Sequence, residues 1–150
     1  MTSAPDIRRI LVAHDFGEFS DSALDYGLVL AQKLRAEVTL VHAYEVPTVG
    51  SAEVLFPVTD WTKQGKSVAR EALDKVVADA RTRGFAVDSM LREGHAWREI
   101  VAAAQETKAD LIVVGTEGRR GVPRALLGSV AEKVVRRAPC PVLVARHRTG

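Results

Sequence analysis

Four residues in the last third of this 150-residue chain have types and spacing that could hold an oxyanion: Gly115 and Gly118 stand three apart, nine residues follow, and Gly128 and Ser129 come next. Glycines so placed let backbone N–H groups approach phosphate oxygens with no Cβ in the way, and their access to positive φ lets successive amides converge. Ser129 opens a helical pattern, where free amides and the positive end of the helix dipole favour an anion and the hydroxyl can donate a hydrogen bond. Arg119, Arg120 and Arg124 lie in the same stretch and could neutralise further charge. A plainer reading exists: Ser129 and Glu132 have capping-box spacing, and glycines are common in loops after strands. What favours phosphate is the coincidence of two close glycines, a second Gly-Ser at a helix start, local arginines and a buried strand just before them. The loop is no P-loop, since no Gly-Lys-Ser or Gly-Lys-Thr occurs, and G-x-G-x-x-G is absent too.

The elements that must position this loop are written in the hydrophobic pattern. Residues 110–115 (DLIVVG) are the most strand-like run, apolar from Leu111 on as a strand covered on both faces must be. Residues 7–13 (IRRILVA) and 37–44 (EVTLVHAY) read as two more buried strands. Between them, 20–35 places Ala23, Leu24, Gly27, Leu28, Ala31 and Leu34 at helical spacing, with Ser20 and Asp21 as start signals. A long helix is predicted over 62–83, with Val68, Leu73, Val76, Val77 and Ala80 on one face and Gly84 as its stop. A strand at 86–92, a helix at 97–106, a helix at 129–137 and a strand at 141–146 complete the set. Strands alternating with helices through the whole length predict an α/β three-layer sandwich, a parallel sheet with helices on both faces, as one domain over 1–150. The stretch 45–61 is the one long connection. Its Val46, Val49, Val54, Leu55, Phe56, Val58 and Trp61 make it too apolar for a solvated loop, so it should pack as a lid, a subunit contact or a local mini-core.

Size and composition narrow the classes. With 47% hydrophobic residues the chain can bury a real core. It has no apolar run long enough for a membrane span and no apolar segment of signal-peptide type near Met1, so the expected address is the cytoplasm. One cysteine, Cys140, allows no internal disulfide, in keeping with a reducing compartment. Net charge is only +2, which argues against a nucleic-acid binder, but it is unevenly spread: from Gly115 onward eight basic residues face two acidic ones, leaving the rest about −4. A basic end on an otherwise acidic domain suits a small anionic ligand.

In an open parallel sheet, ligands bind beyond the carboxyl ends of the strands, where neighbouring connections leave in opposite directions. The residues there are His14, Asp15, Phe16 and Gly17 after the first strand, Tyr44 and Glu45 after the second, Glu93 and Gly94 after the third, and the glycine loop after the fourth. Taken with ILVAHDFGEFSDSAL, VTLVHAY, GHAWREIV and APCPVLV, the spacing G-2x-G-9x-G-S resembles the universal stress protein family, in its ATP-binding members, over nearly the whole chain. The resemblance implies a five-stranded parallel sheet in the order 3-2-1-4-5 with an adenine nucleotide between strands 1 and 4. Carried over by position, Ala13, His14 and Asp15 would lie beside the nucleotide and Ala43 would offer backbone to adenine. Gly115, Thr116, Gly118, Arg119, Gly128, Ser129 and Val130 would line ribose and phosphates. It further implies ATP, with Mg2+ as a possible companion, and a homodimer formed through the last strand. The uncharged run Val142, Leu143 and Val144 would be a sticking point on an edge strand unless paired. Two positions depart from the pattern: Glu117 stands where many relatives carry histidine or a basic residue, and Gly17 where a serine often follows the aspartate. Glu117 could repel a phosphate, pair with Arg119 or Arg120, or help hold a divalent cation.

Other residues invite less. Asp15 could simply cap a helix. Cys140, between Pro139 and Pro141, reads as a small packed residue, Trp97 as packing, and His42 as a satisfied core histidine. His14, His42, His95 and His147 show no metal-ligand spacing, and no hydrolytic set can be assembled. A receiver domain needs an aspartate at the end of the third strand, where Arg92, Glu93 and Gly94 stand. The leading expectation is a nucleotide-responsive regulatory dimer. Its competitors are a slow ATPase or nucleotidyl-transfer enzyme using the same crevice, and a nucleotide-free dimeric interaction module.

Overall fold

The computed structural model describes residues 3–46, 58–116 and 127–147. Five strands, β1 (Arg9–Ala13), β2 (Glu37–Tyr44), β3 (Val87–Glu93), β4 (Leu111–Gly115) and β5 (Val142–Ala145), form one sheet in the order β3-β2-β1-β4-β5. Every neighbouring pair is parallel, as the alternating pattern and the expected order required. Helices α1 (Glu18–Leu34), α2 (Val58–Thr82), α3 (Ala96–Thr107) and α4 (Ser129–Arg137) cover both faces.

Strand alternation explains the unbroken apolar runs. Ile10, Val12, Leu40 and Val113 point to one face, where Leu24 and Leu28 of α1 and Leu73 and Val77 of α2 close over them. Leu11, Val41, Ile112 and Val114 point to the other, under Ile100 and Ala103 of α3 and Ala131 and Val134 of α4. Each fully buried Leu or Ile contributes about 1.5–3 kcal/mol, so the central strands anchor both layers. Gly27 lets α1 lie close on β1, because a Cβ there would fall 2.6 Å from Val12 Cγ2.

Several boundaries differ from the sequence pattern for physical reasons. The first helix starts at Glu18 with Gly17 as N-cap, not at Ser20, whose side chain is buried and used elsewhere. The second begins at Val58, so the end of the apolar 45–61 stretch is already helical, while 47–57 lies outside the described residues. It stops where expected: Gly84 takes φ +92°, and the Gly84 and Phe85 N–H groups donate back to Arg81 O and Ala80 O. The first and third helices instead end on Arg35 and Lys108 in the left-handed conformation, stops that no glycine announces.

The strand order sets β1 beside β4 at the centre of the sheet, with α1 leaving to one face and α4 to the other. That divergence opens a crevice at the carboxyl ends of these two strands.

Candidate functional site

The β1 side of the crevice is a closed network of side chains. Past Ala13, the His14 N–H continues the ladder by donating to Val41 O at 2.9 Å. His14 is 4% exposed as a residue, with its side chain at 1%. Its Nδ1 accepts the Phe16 N–H at 2.9 Å, so Nε2 carries the proton and donates to Asp21 Oδ1, also at 2.9 Å. Burial holds its pKa below the ordinary histidine value of 6.5, against the upward pull of the Asp21 hydrogen bond. The neutral tautomer is thus fixed by two partners. Asp15 Oδ1 accepts from the Gly17 N–H at 3.0 Å and from Ser20 Oγ at 2.7 Å, while Ser20 Oγ accepts the Asp15 N–H at 3.0 Å. Asp15 is not the cap of α1, whose N-cap is Gly17 with no side-chain cap bond; it fastens the turn before the helix, and Ser20, read as a start signal, is its buried clamp.

The β4 side is built from backbone. Gly115 ends the strand, and a Cβ there would lie 2.8 Å from Phe19 O, so this glycine is needed for the close approach of β4 to the first turn of α1. The Thr116 N–H donates to Ala145 O at 3.2 Å, and the Gly128 N–H donates to Thr116 O at 2.7 Å. These two bonds bring both ends of the glycine loop together beside β5. Gly128, not Ser129, is the N-cap of α4, with φ −59° and ψ 154° and no side-chain cap bond, so the capping-box reading of Ser129 and Glu132 is not realised. Ser129 is the first helical residue and is exposed; Val130 follows, half-buried. The first α4 bond runs from the Glu132 N–H to Gly128 O at 2.9 Å, which leaves the amides of Ser129, Val130 and Ala131 without an intrahelical acceptor. Gly118 and Arg119, like Glu117, Arg120 and Arg124, lie outside the described residues.

Sequence reasoning missed a cavity of about 490 Å3 next to the β1 corner, between Phe16, His42 and the α2 residues Gln64, Gly65, Val68, Ala69 and Ala72. Phe16 sits at φ +67°, a left-handed conformation that costs a non-glycine residue about 1–3 kcal/mol. Its N–H is held by His14, and its ring packs tilted against His42, with centroids 4.2 Å apart and planes at 41°. The His42 Nδ1–H donates to His14 O at 2.7 Å, so it is satisfied as expected but lines the cavity as well. Ala43 lies next along β2, half-buried. Nothing local marks an aromatic residue for positive φ, and the cavity exists only once α2 packs across the end of β2.

Around this centre the corners are tied down. His147, after β5, has Nδ1 at 2.9 Å from Ser22 Oγ and its ring edge-on to Phe19, which fastens the chain beyond β5 to α1. The Gly94 N–H donates to Tyr44 O, joining the β3–α3 turn to the end of β2. Burial pushes the Cys140 thiol up, in keeping with a packed residue. Among the described residues, no three His, Cys, Asp or Glu side chains gather as a metal site would require. Nor is any helix among them long and apolar enough to cross a membrane.

Comparison with known proteins agrees with this architecture. Residues 6–146 match the model of the Universal stress protein family. A universal stress protein of Methanocaldococcus jannaschii is 36% identical over 145 residues, covering 93% of this chain and 82% of its own. A universal stress protein from Lactobacillus plantarum shares the fold, with a TM-score of 0.81 at 24% identity over 96% of this chain and all of that one. A universal stress protein solved in complex with cAMP has a TM-score of 0.68 at 26% identity, covering 95% of this chain and 99% of its own. One from Arabidopsis thaliana, solved with AMP bound, has a TM-score of 0.63 at 17% identity over 95% of this chain and 93% of its own. The family match over nearly the whole chain, together with the β3-β2-β1-β4-β5 sheet, establishes that this chain belongs to the universal stress protein family.

Proposed function

We propose that this chain binds an adenine nucleotide, ATP in the first place, in the crevice between β1 and β4, and that it acts as a regulatory dimer. The observation that carries this reading is the closure of Gly128 on Thr116, which sets the amides of Ser129, Val130 and Ala131, with no intrahelical acceptor, at the switch point of the sheet. A polyphosphate fits that donor set: three backbone N–H groups, a helix dipole and an exposed serine hydroxyl offer hydrogen bonds without a fixed negative charge. The site residues are Ala13, His14, Asp15, Ala43, Gly115, Thr116, Gly118, Arg119, Gly128, Ser129 and Val130. Thr116 and Ala43 act through their backbone, and Gly118 and Arg119 act from the loop. The mostly apolar cavity walled by Phe16 and His42 has the size and the aromatic lining that suit a heteroaromatic ring. Relatives of the same fold have been solved with cAMP and with AMP, which supports the adenine nucleotide class. Mg2+ would travel with the triphosphate, with Glu117 of the glycine motif as the carboxylate to help hold it.

The dimer rests on a different feature. Among the described residues β5 is an edge strand with no strand paired on its outer side, and its Val142, Leu143 and Val144 are each half-buried. Pairing two such edges would remove an aggregation-prone rim. Mass spectrometry of nucleotide released from freshly purified protein tests the ligand, and sedimentation of a Leu143→Lys variant tests the interface. Release of ATP or another adenine nucleotide in near-stoichiometric amount, and a monomeric variant, are the expected results. Stable binding with phosphate release that survives repurification would instead make the chain a slow ATPase.

A further inference from the structure

The face made by α3 and α4 carries a charge arrangement that the nucleotide reading does not use. Trp97, in the first turn of α3, is half-buried against the core of that face. Its ring is met by the Arg98 guanidinium at 5.2 Å, the Lys133 ammonium at 5.8 Å and the Arg137 guanidinium at 5.1 Å. All three cations are exposed. Among the described residues none of them makes an ion pair, because the acids nearest in sequence are engaged elsewhere: Glu99 with Arg92 and Glu132 with Arg136.

Three like charges around one indole lie at separations on the order of a Debye length, about 10 Å at 0.1 M salt, so they repel one another. The quadrupole of the ring offsets only part of that repulsion. Helix stability does not explain the set either. Arg137 suits the carbonyl end of α4, but Arg98 stands in the first turn of α3, where the dipole disfavours a cation. A group of exposed, convergent cations without acids is complementary to closely spaced carboxylates, which guanidinium groups can hold in bidentate fashion. The geometry points to a docking site for a short acidic segment of a partner protein, held by Arg98, Lys133 and Arg137 around Trp97. Nucleic acid fits less well. Three cations already engage the half-buried indole, with which a stacking base would have to compete, and together they form a compact cluster rather than a track for a phosphate backbone.

The test uses the full chain without nucleotide, so its result does not depend on the crevice. Fluorescein-labelled hexaglutamate is titrated with the protein at low and at physiological ionic strength, and anisotropy is read. The triple variant R98Q/K133Q/R137Q keeps the aliphatic stems, and K33Q/K63Q/K66Q removes the same net charge from exposed lysines elsewhere. The expected result is saturable binding, weakened about tenfold or more by the first triple and less than about twofold by the second. Single Arg98→Gln and Lys133→Gln variants, checked by circular dichroism, should each weaken binding and so read the site even if the triple is poorly folded. Absence of hexaglutamate binding, equal loss in both triples, or displacement by an oligothymidylate at lower concentration than by unlabelled peptide would overturn the proposal.

Discussion

The two sides of the crevice solve opposite problems. On the β1 side every polar group named is already committed: His14 to Phe16 and Asp21, Asp15 to Gly17 and Ser20, and His42 to His14. On the β4 side the corresponding positions are Gly115, Thr116, Gly128 and Ser129. Among the described residues they are joined by backbone bonds, and α4 begins with no side-chain cap. One side is rigid because its side chains satisfy each other; the other keeps donors in reserve because its residues have little side chain to use. The contrast suggests that the β1 corner fixes the shape of the site and that the α4 start supplies its affinity. Substitutions on the first should therefore register mainly in stability, and on the second mainly in binding.

The largest effect is expected at the place where the two sides touch. Gly115→Val forces a branched side chain against Phe19 O, already 2.8 Å from a bare Cβ position. It should cost at least the upper end of the about 1–3 kcal/mol typical of overpacking, seen as a lower urea midpoint with unchanged m-value. Were Gly115→Val as stable as the parent, the close packing of β4 on α1 would be wrong. Next comes Asp15→Ala, which strips the Gly17 N–H and the buried Ser20 hydroxyl of their acceptor and should cost about 1–3 kcal/mol. Asp15→Asn keeps one acceptor oxygen and should recover part of that loss.

The pH dependence of stability sharpens the same side. The folded pKa of His14 lies below 6.5, so the unfolded chain binds the extra proton first. The contribution of His14 is therefore fully present above about pH 6.5 and is lost as the pH falls below it, with a slope of at most about 1.4 kcal/mol per pH unit. Chemical denaturation between about pH 5 and 7 should show a shallower slope for His14→Gln than for the parent. Identical slopes would remove His14 from the account. The smallest change in stability is expected on the other side: Ser129→Ala alters an exposed hydroxyl with no cap bond and should stay within about 0.5 kcal/mol. In nucleotide binding the same substitution should be the more damaging one, by about tenfold, as loss of a hydrogen bond to a charged phosphate implies.

How much of this was legible beforehand followed the range of the forces involved. The bounds of β2 and α4 and the stop at Gly84 were readable because apolar period, strand alternation and helix stops are written locally, whereas the sheet order came only with the family resemblance. The start of α1 was misread because Ser20 looks like a cap but spends its hydroxyl on Asp15, a tertiary choice. The left-handed Phe16 and the cavity under α2 left no local mark, since both depend on β1, β2 and α2 meeting. The glycine motif was visible, yet its parts do different things: Gly115 is a packing glycine, and Gly128 is the cap that closes on Thr116.

The most direct test of the central claim is equilibrium dialysis of ATP, AMP and cAMP against the parent chain and against Ser129→Ala, with melting temperatures measured on the same samples. One nucleotide per chain, bound about tenfold more weakly by a variant that melts with the parent, is the predicted result. No binding of any of the three even at about millimolar concentration would contradict it.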